Sequence, residues 1–119
     1  MESRRSKYIR IYTPKFTADK KAMMLAKTKT IIEQLPKVSQ TVSRLEMRAN
    51  RIYLYAFVER RRQEDKYVEY PYARITLQDD KGDNCIVDWQ RHNDRWMTLP
   101  YNGSLAQCLR DIEKDNCWF

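Results

Sequence analysis

An α+β fold follows from three features of the sequence. Apolar residues recur at helical spacing between Ala18 and Leu35. From Thr41 to Leu99 the spacing changes to two and is broken by turn signals, and a second helical stripe, Leu105, Cys108, Leu109 and Ile112, follows Ser104. Together they predict an N-terminal helix, an antiparallel meander of about five strands, and a C-terminal helix packed on one face of the sheet. A basic arm, partly ordered, is expected over residues 1–16 and a single domain over 17–119.

In the arm, Tyr8, Arg10 and Tyr12 alternate with Ile9 and Ile11 up to Pro14, the pattern of an edge strand or a basic tail. Thr17 offers an N-cap and Asp19 suits the positive end of a helix dipole. Ala22, Met23, Leu25, Ala26, Ile32 and Leu35 supply the apolar positions, so a helix is expected from Ala18 to Leu35, closed by Pro36. Lys20, Lys21, Lys27 and Lys29 populate its exterior, which reads first as a solvated face.

Leu45 and Met47 then alternate with Arg44, Glu46 and Arg48, and Ala49-Asn50 makes a two-residue hairpin turn. In the next strand Ile52, Leu54, Ala56 and Val58 form one face while Tyr53, Tyr55 and Phe57 form the other. An apolar strand on both sides is expected to be central and helix-covered, the alternative being an exposed aromatic platform. Glu59 to Lys66 is a charged connector containing Arg60-Arg61-Arg62. Pro71 marks the entry to a strand over Tyr72 to Leu77, and Asp79 to Asp83 forms a turn in which Gly82 supplies a positive φ. Cys85, Val87 and Trp89 share a face of the return strand over Cys85 to Gln90. After a turn at Arg91 to Asp94, a last strand over Arg95 to Leu99 is expected to stop at Pro100. Ser104 caps the closing helix. Trp118 and Phe119 have enough apolar area to dock on the core.

Function classes can then be excluded. The longest uninterrupted apolar run, Ile52 to Val58, has seven residues, far below the roughly 20 of a spanning helix. The basic start lacks an apolar signal region, so a cytoplasmic, bacterial-type location without membrane association is the expectation. Cys85, Cys108 and Cys117 are odd in number and widely spaced, which favours buried, reduced thiols over disulfides or zinc. Two glycines, Gly82 and Gly103, cannot build a phosphate-binding loop. His92, the sole histidine, reads as a polar turn residue, and no cofactor or metal is implied.

The residues from Tyr72 onward resemble a small bacterial family, domain of unknown function three thousand and twenty-four. Trp89, Arg91, Arg95 and Trp96 carry its Trp-Arg-basic-Trp spacing, and Leu105, Leu109, Ile112, Asp115 and Cys117-Trp118-Phe119 match its closing helix and aromatic end. Met97 and Phe119 depart from it, standing where the family has His and Gly. The hairpin at 44–59 fits loosely and the arm is not covered. The resemblance implies the same fold, with Trp89, Trp96, Leu105, Leu109, Ile112 and Trp118 in structural roles: two tryptophans on neighbouring strands roofed by the helices. It implies no activity.

Charge points to function more directly. Of a net +7, residues 1–62 carry 16 Lys/Arg against 5 Asp/Glu, and residues 63–119 carry 7 against 11. The two halves either neutralise each other or leave a basic surface. The expectation is a non-enzymatic binding module for nucleic acid or another polyanion, through Arg4, Arg5, Lys20, Lys27, Arg60, Arg61 and Arg62. The alternative is a protein-interaction domain using exposed tyrosine and arginine. A third reading is a Mg-dependent nuclease built on the acid-x-Lys triplet Asp79-Asp80-Lys81 with Glu69, Asp83 and Asp88 near in sequence.

Overall fold

A computed structural model describes residues 14–59, 67–90 and 95–115. Its elements in order are α1 (Ala18–Ile32), α2 (Pro36–Thr41), β1 (Arg44–Arg48), β2 (Arg51–Glu59), β3 (Tyr67–Leu77), β4 (Cys85–Gln90), β5 (Trp96–Gly103) and α3 (Leu105–Lys114). The strands lie in chain order, each antiparallel to the next, in one open sheet. The predicted α+β class, meander and flanking helices are all present.

The core lies between the helices and one sheet face. Ile52 and Leu54 of β2, Ala73, Ile75 and Leu77 of β3, and Cys85 and Val87 of β4 meet Ile32 of α1, Val38 of α2, and Leu105, Cys108, Leu109 and Ile112 of α3. The α3 stripe is the one the sequence predicts, and the Ser104 hydroxyl accepts from Gln107 N–H at 3.1 Å as its cap. In α1 the Thr17 cap on Lys20 N–H is also in place. The buried stripe there is rotated, however, running through Met24, Leu25, Thr28, Ile31 and Ile32 and leaving Met23 71% exposed. Thr28 can be buried because its hydroxyl donates to the Met24 carbonyl at 2.7 Å.

Three element boundaries differ from expectation, and each involves a proline. Pro36 does not simply close α1; it occupies the first turn of α2, where a missing N–H costs nothing. No side chain of its own segment caps α2. Instead Glu113 of α3 accepts from Lys37 N–H at 3.1 Å and Val38 N–H at 2.9 Å. Pro71 lies inside β3, opposite Tyr55, where the β2–β3 register slips by one residue. That bulge turns the consecutive Tyr72 and Ala73 both into the core, and the Pro71 carbonyl accepts from Gln90 Nε2 at 2.7 Å. Pro100 lies inside β5, which runs on to Gly103; as an edge strand β5 tolerates a residue without an N–H.

The Ala49-Asn50 turn holds as predicted, with Arg48 paired to Arg51 and Ala49 at φ 51°. Gly82, at φ 76°, fills the positive-φ position the turn requires. Trp89 and Trp96 are on neighbouring paired strands, but only one can face the helices. Trp96 pairs with Gln90 and Trp89 with Met97, so the two indoles take opposite sides, and Trp96 is not roofed.

Candidate functional site

The sheet face away from the helices is built by the other half of each strand's alternation. β1 contributes Arg44, Glu46 and Arg48; β2 contributes Arg51, Tyr53, Tyr55 and Phe57; β3 contributes Tyr67, Glu69 and Arg74; β4 and β5 add Asp88, Trp96 and Thr98. Among the described residues no helix covers it. The expected helix cover over the Tyr53-Tyr55-Phe57 side is therefore replaced by arginine side chains. The three helices spend their apolar residues on the Ile52-Leu54 side, which leaves long charged side chains to shield the rings.

The shielding is specific. The Arg44 guanidinium lies 3.8 Å from the Tyr55 ring centroid, Arg48 5.4 Å from that of Tyr53, and Arg74 4.3 Å from that of Trp96. Tyr53 and Trp96 meet edge-on at 5.9 Å. Tyr55 is thereby only 6% exposed, with its hydroxyl 3.3 Å from both Arg48 Nη2 and Glu46 Oε1.

The same arginines are ion-paired. Arg44 Nε donates to Glu69 at 2.8 Å and Arg44 Nη1 to Glu46 at 3.2 Å, and Arg48 also pairs with Glu46. Glu69 also accepts from the Ser43 hydroxyl at 2.8 Å. Arg44, then Ser43, hold the Glu69 carboxyl below the ordinary range. At Glu46 burial opposes the charge, but hydrogen bonds from Arg48 and Arg44 prevail and lower its pKa as well. Further along, Arg74 Nε donates to Asp88 at 2.8 Å and the Thr98 hydroxyl donates to the same carboxylate at 2.7 Å. Only Arg51 of the four arginines on this face has no ion pair among the described residues.

Two rings on this face have no arginine over them among the described residues. Phe57 is 61% and Tyr67 64% exposed, and because Phe57 pairs with Glu69 and Glu59 with Tyr67, the two are diagonal neighbours on this face. The result is a bare aromatic pair beside a self-neutralised Arg/Glu belt. The sequence contains the signal for the belt, Arg-x-Glu-x-Arg at 44–48, but only the cross-strand register sets it beside Tyr53 and Tyr55.

Of the residues expected to bind polyanions, Arg4, Arg5, Arg60, Arg61 and Arg62 lie outside the described residues, as do His92, Cys117, Trp118 and Phe119. Lys20 and Lys27 are both exposed on α1, and Lys20 sits 4.0 Å from Asp80. The nuclease triplet is a turn device: Asp79 Oδ1 accepts the N–H groups of Lys81, Gly82 and Asp83 at 3.2, 2.7 and 3.0 Å. Cys85 and Cys108 are free and fully buried. No helix among the described residues is long and apolar enough to cross a membrane.

A family model described as "Domain of unknown function (DUF3024)" matches residues 14–119, taking in the first helix and the whole hairpin as well as the region from Tyr72 onward. No curated protein and no solved structure matches the chain.

Proposed function

The chain belongs to the DUF3024 family, a domain of unknown function, and from the surfaces of its fold we propose that it is a protein-interaction module whose open sheet face is the binding surface. One observation carries this reading: the exposed Phe57–Tyr67 pair lies next to arginines already neutralised by Glu46 and Glu69. Exposed rings beside a fixed rim of polar pairs have the anatomy of a protein interface, where aromatic anchors bind and the rim excludes water. Apart from Arg51, the arginines of this face would have to release their carboxylates before a polyanion gained contact, which works against it here.

The test is a pull-down with the full chain from nuclease-treated lysate, compared with a Phe57→Ser/Tyr67→Ser variant whose fold is checked by circular dichroism. Specific retention by the parent chain and its loss in the variant are expected. Equal retention by both would overturn the reading.

The second reading, polyanion binding by the basic half, is favoured by Lys27 and Lys29. Both are exposed on α1 with no ion pair among the described residues. It requires binding to single-stranded or duplex oligonucleotides that falls steeply between about 50 and 200 mM salt. It also requires that binding be weakened by Lys27→Glu and indifferent to Phe57→Ser.

A further inference from the structure

The partner's conformation is written into the edge of β2. Pairing of β1 with β2 ends at Arg44 opposite Tyr55, while β2 runs on to Glu59 and stays paired with β3 through Glu59 and Tyr67. On the side away from β3, the stretch Ala56–Glu59 therefore has no strand beside it among the described residues. Its main-chain direction follows from the ladder. The Tyr55 carbonyl accepts from Ser43 N–H at 2.8 Å, so the Tyr55 peptide groups point toward the β1 side. Two residues further on, Phe57 repeats that orientation and presents its N–H and C=O to the open edge. Pro71 opposite Tyr55 agrees, since an N–H directed at β2 is not needed there. Natural sheets blunt such edges with charged residues, Pro or a bulge; Ala56-Phe57-Val58 has none of these, and the stretch meets its first charge at Glu59.

Where β1 stops, the edge opens onto a groove of about 320 Å³ lined by Gln40, Thr41, Val42, Ser43, Ala56 and Phe57. None of these side chains is charged. Beside it, both oxygens of Glu69 are taken, one by Arg44 and one by the Ser43 hydroxyl. Among the lining side chains a charged group would find no counter-ion, whereas an aliphatic one would lie against Val42. Complementarity in charge thus selects a neutral occupant, and the unpaired main chain selects an extended one.

We propose that an extended, uncharged segment of a partner protein adds as a strand to the free edge of β2 at Ala56–Glu59. Its backbone pairs with Phe57 and one aliphatic side chain seats in the groove beside Val42. This rests on the protein-binding reading of the open face and specifies how the partner engages it. Main-chain pairing supplies affinity, the groove chooses the side chain at alternate positions, and the Phe57 ring borders the strand on the open face.

The experiment uses the full chain to select ligands from a displayed library of random peptides of about twelve residues. A selected peptide is then resynthesised with N-methyl groups at each amide in turn. Strand addition predicts an alternating pattern, in which methylation of every second amide weakens binding about tenfold or more and the intervening positions are indifferent. It also predicts a similar loss in Val42→Lys, which places a charge in the groove. The methylation pattern does not depend on that variant folding. Ligands that tolerate methylation throughout and ignore Val42→Lys, yet are lost in Phe57→Ser/Tyr67→Ser, would overturn strand addition and leave the open-face reading intact. A library yielding no ligand, or ligands indifferent to every change, would overturn both.

Discussion

At the scale of single residues, burial decides which side chains have chemistry to offer. Desolvation pushes the Cys85 thiol up to about 12 and the Cys108 thiol up to about 11, with the nearby Cys108 and Asp111 respectively adding to it. Both stay protonated near neutrality and should resist alkylation by iodoacetamide in the native protein, reacting only after unfolding. The linkage has a definite sign. Folded-state pKa values above the ordinary thiol value mean that the unfolded chain loses these protons first. The thiols' contribution to stability is therefore constant below about pH 8.5 and falls as pH rises toward 11–12, a trend measurable as a declining urea midpoint. Asp88 is nearly closed off as well, but its carboxylate oxygens are taken by Arg74 and the Thr98 hydroxyl. With Arg74 only 16% and Asp88 10% exposed at the side chain, Asp88→Ala strands a guanidinium beneath Trp96 and should cost about 2–3 kcal/mol in urea unfolding. Asp88→Asn, which keeps an acceptor for Thr98, should cost less.

At the scale of elements, the chain read correctly wherever a helix or strand is specified by its own residues. Ser104 and the stripe from Leu105 to Ile112 define α3 without outside help, and Ala49-Asn50 defines its hairpin. The elements misread are those completed from elsewhere. α2 has Leu35 at its N-cap with no side-chain hydrogen bond, and its first N–H groups are satisfied by Glu113, 75 to 76 positions away. Glu113→Ala should cost about 1–2 kcal/mol, the usual loss for a removed cap, and loosen the α2–α3 contact, which hydrogen exchange at Val38 would report. Glu113→Gln should be milder because it keeps an acceptor. Pro71 and Pro100 look like strand boundaries in the sequence. They fit inside strands because a register shift at each, and for Pro100 the sheet edge as well, removes the need for their N–H.

At the scale of the whole molecule, helices on one side of an antiparallel sheet leave the second side free for use. The basic excess of the first half is consumed in part on that side: Arg44 and Arg48 meet Glu46 from their own strand and Glu69 from the other half of the chain. A surface that composition suggests is positive is, over β1 to β3, largely a lattice of rings and ion pairs, with Arg51 the one arginine unpaired among the described residues. Such a surface discriminates by shape and by the exposed Phe57–Tyr67 pair more than by charge.

The sequence by itself determined the fold class, the strand order, the closing helix and the family, because periodicity, turn chemistry and caps are local properties that each segment carries within itself. Tertiary structure alone decided which rings were covered and by what, where β1 stopped short of β2, and which arginines had partners. Those outcomes depend on cross-strand register and on which face the helices cover, and a one-residue bulge at Tyr72 is enough to change what each face presents.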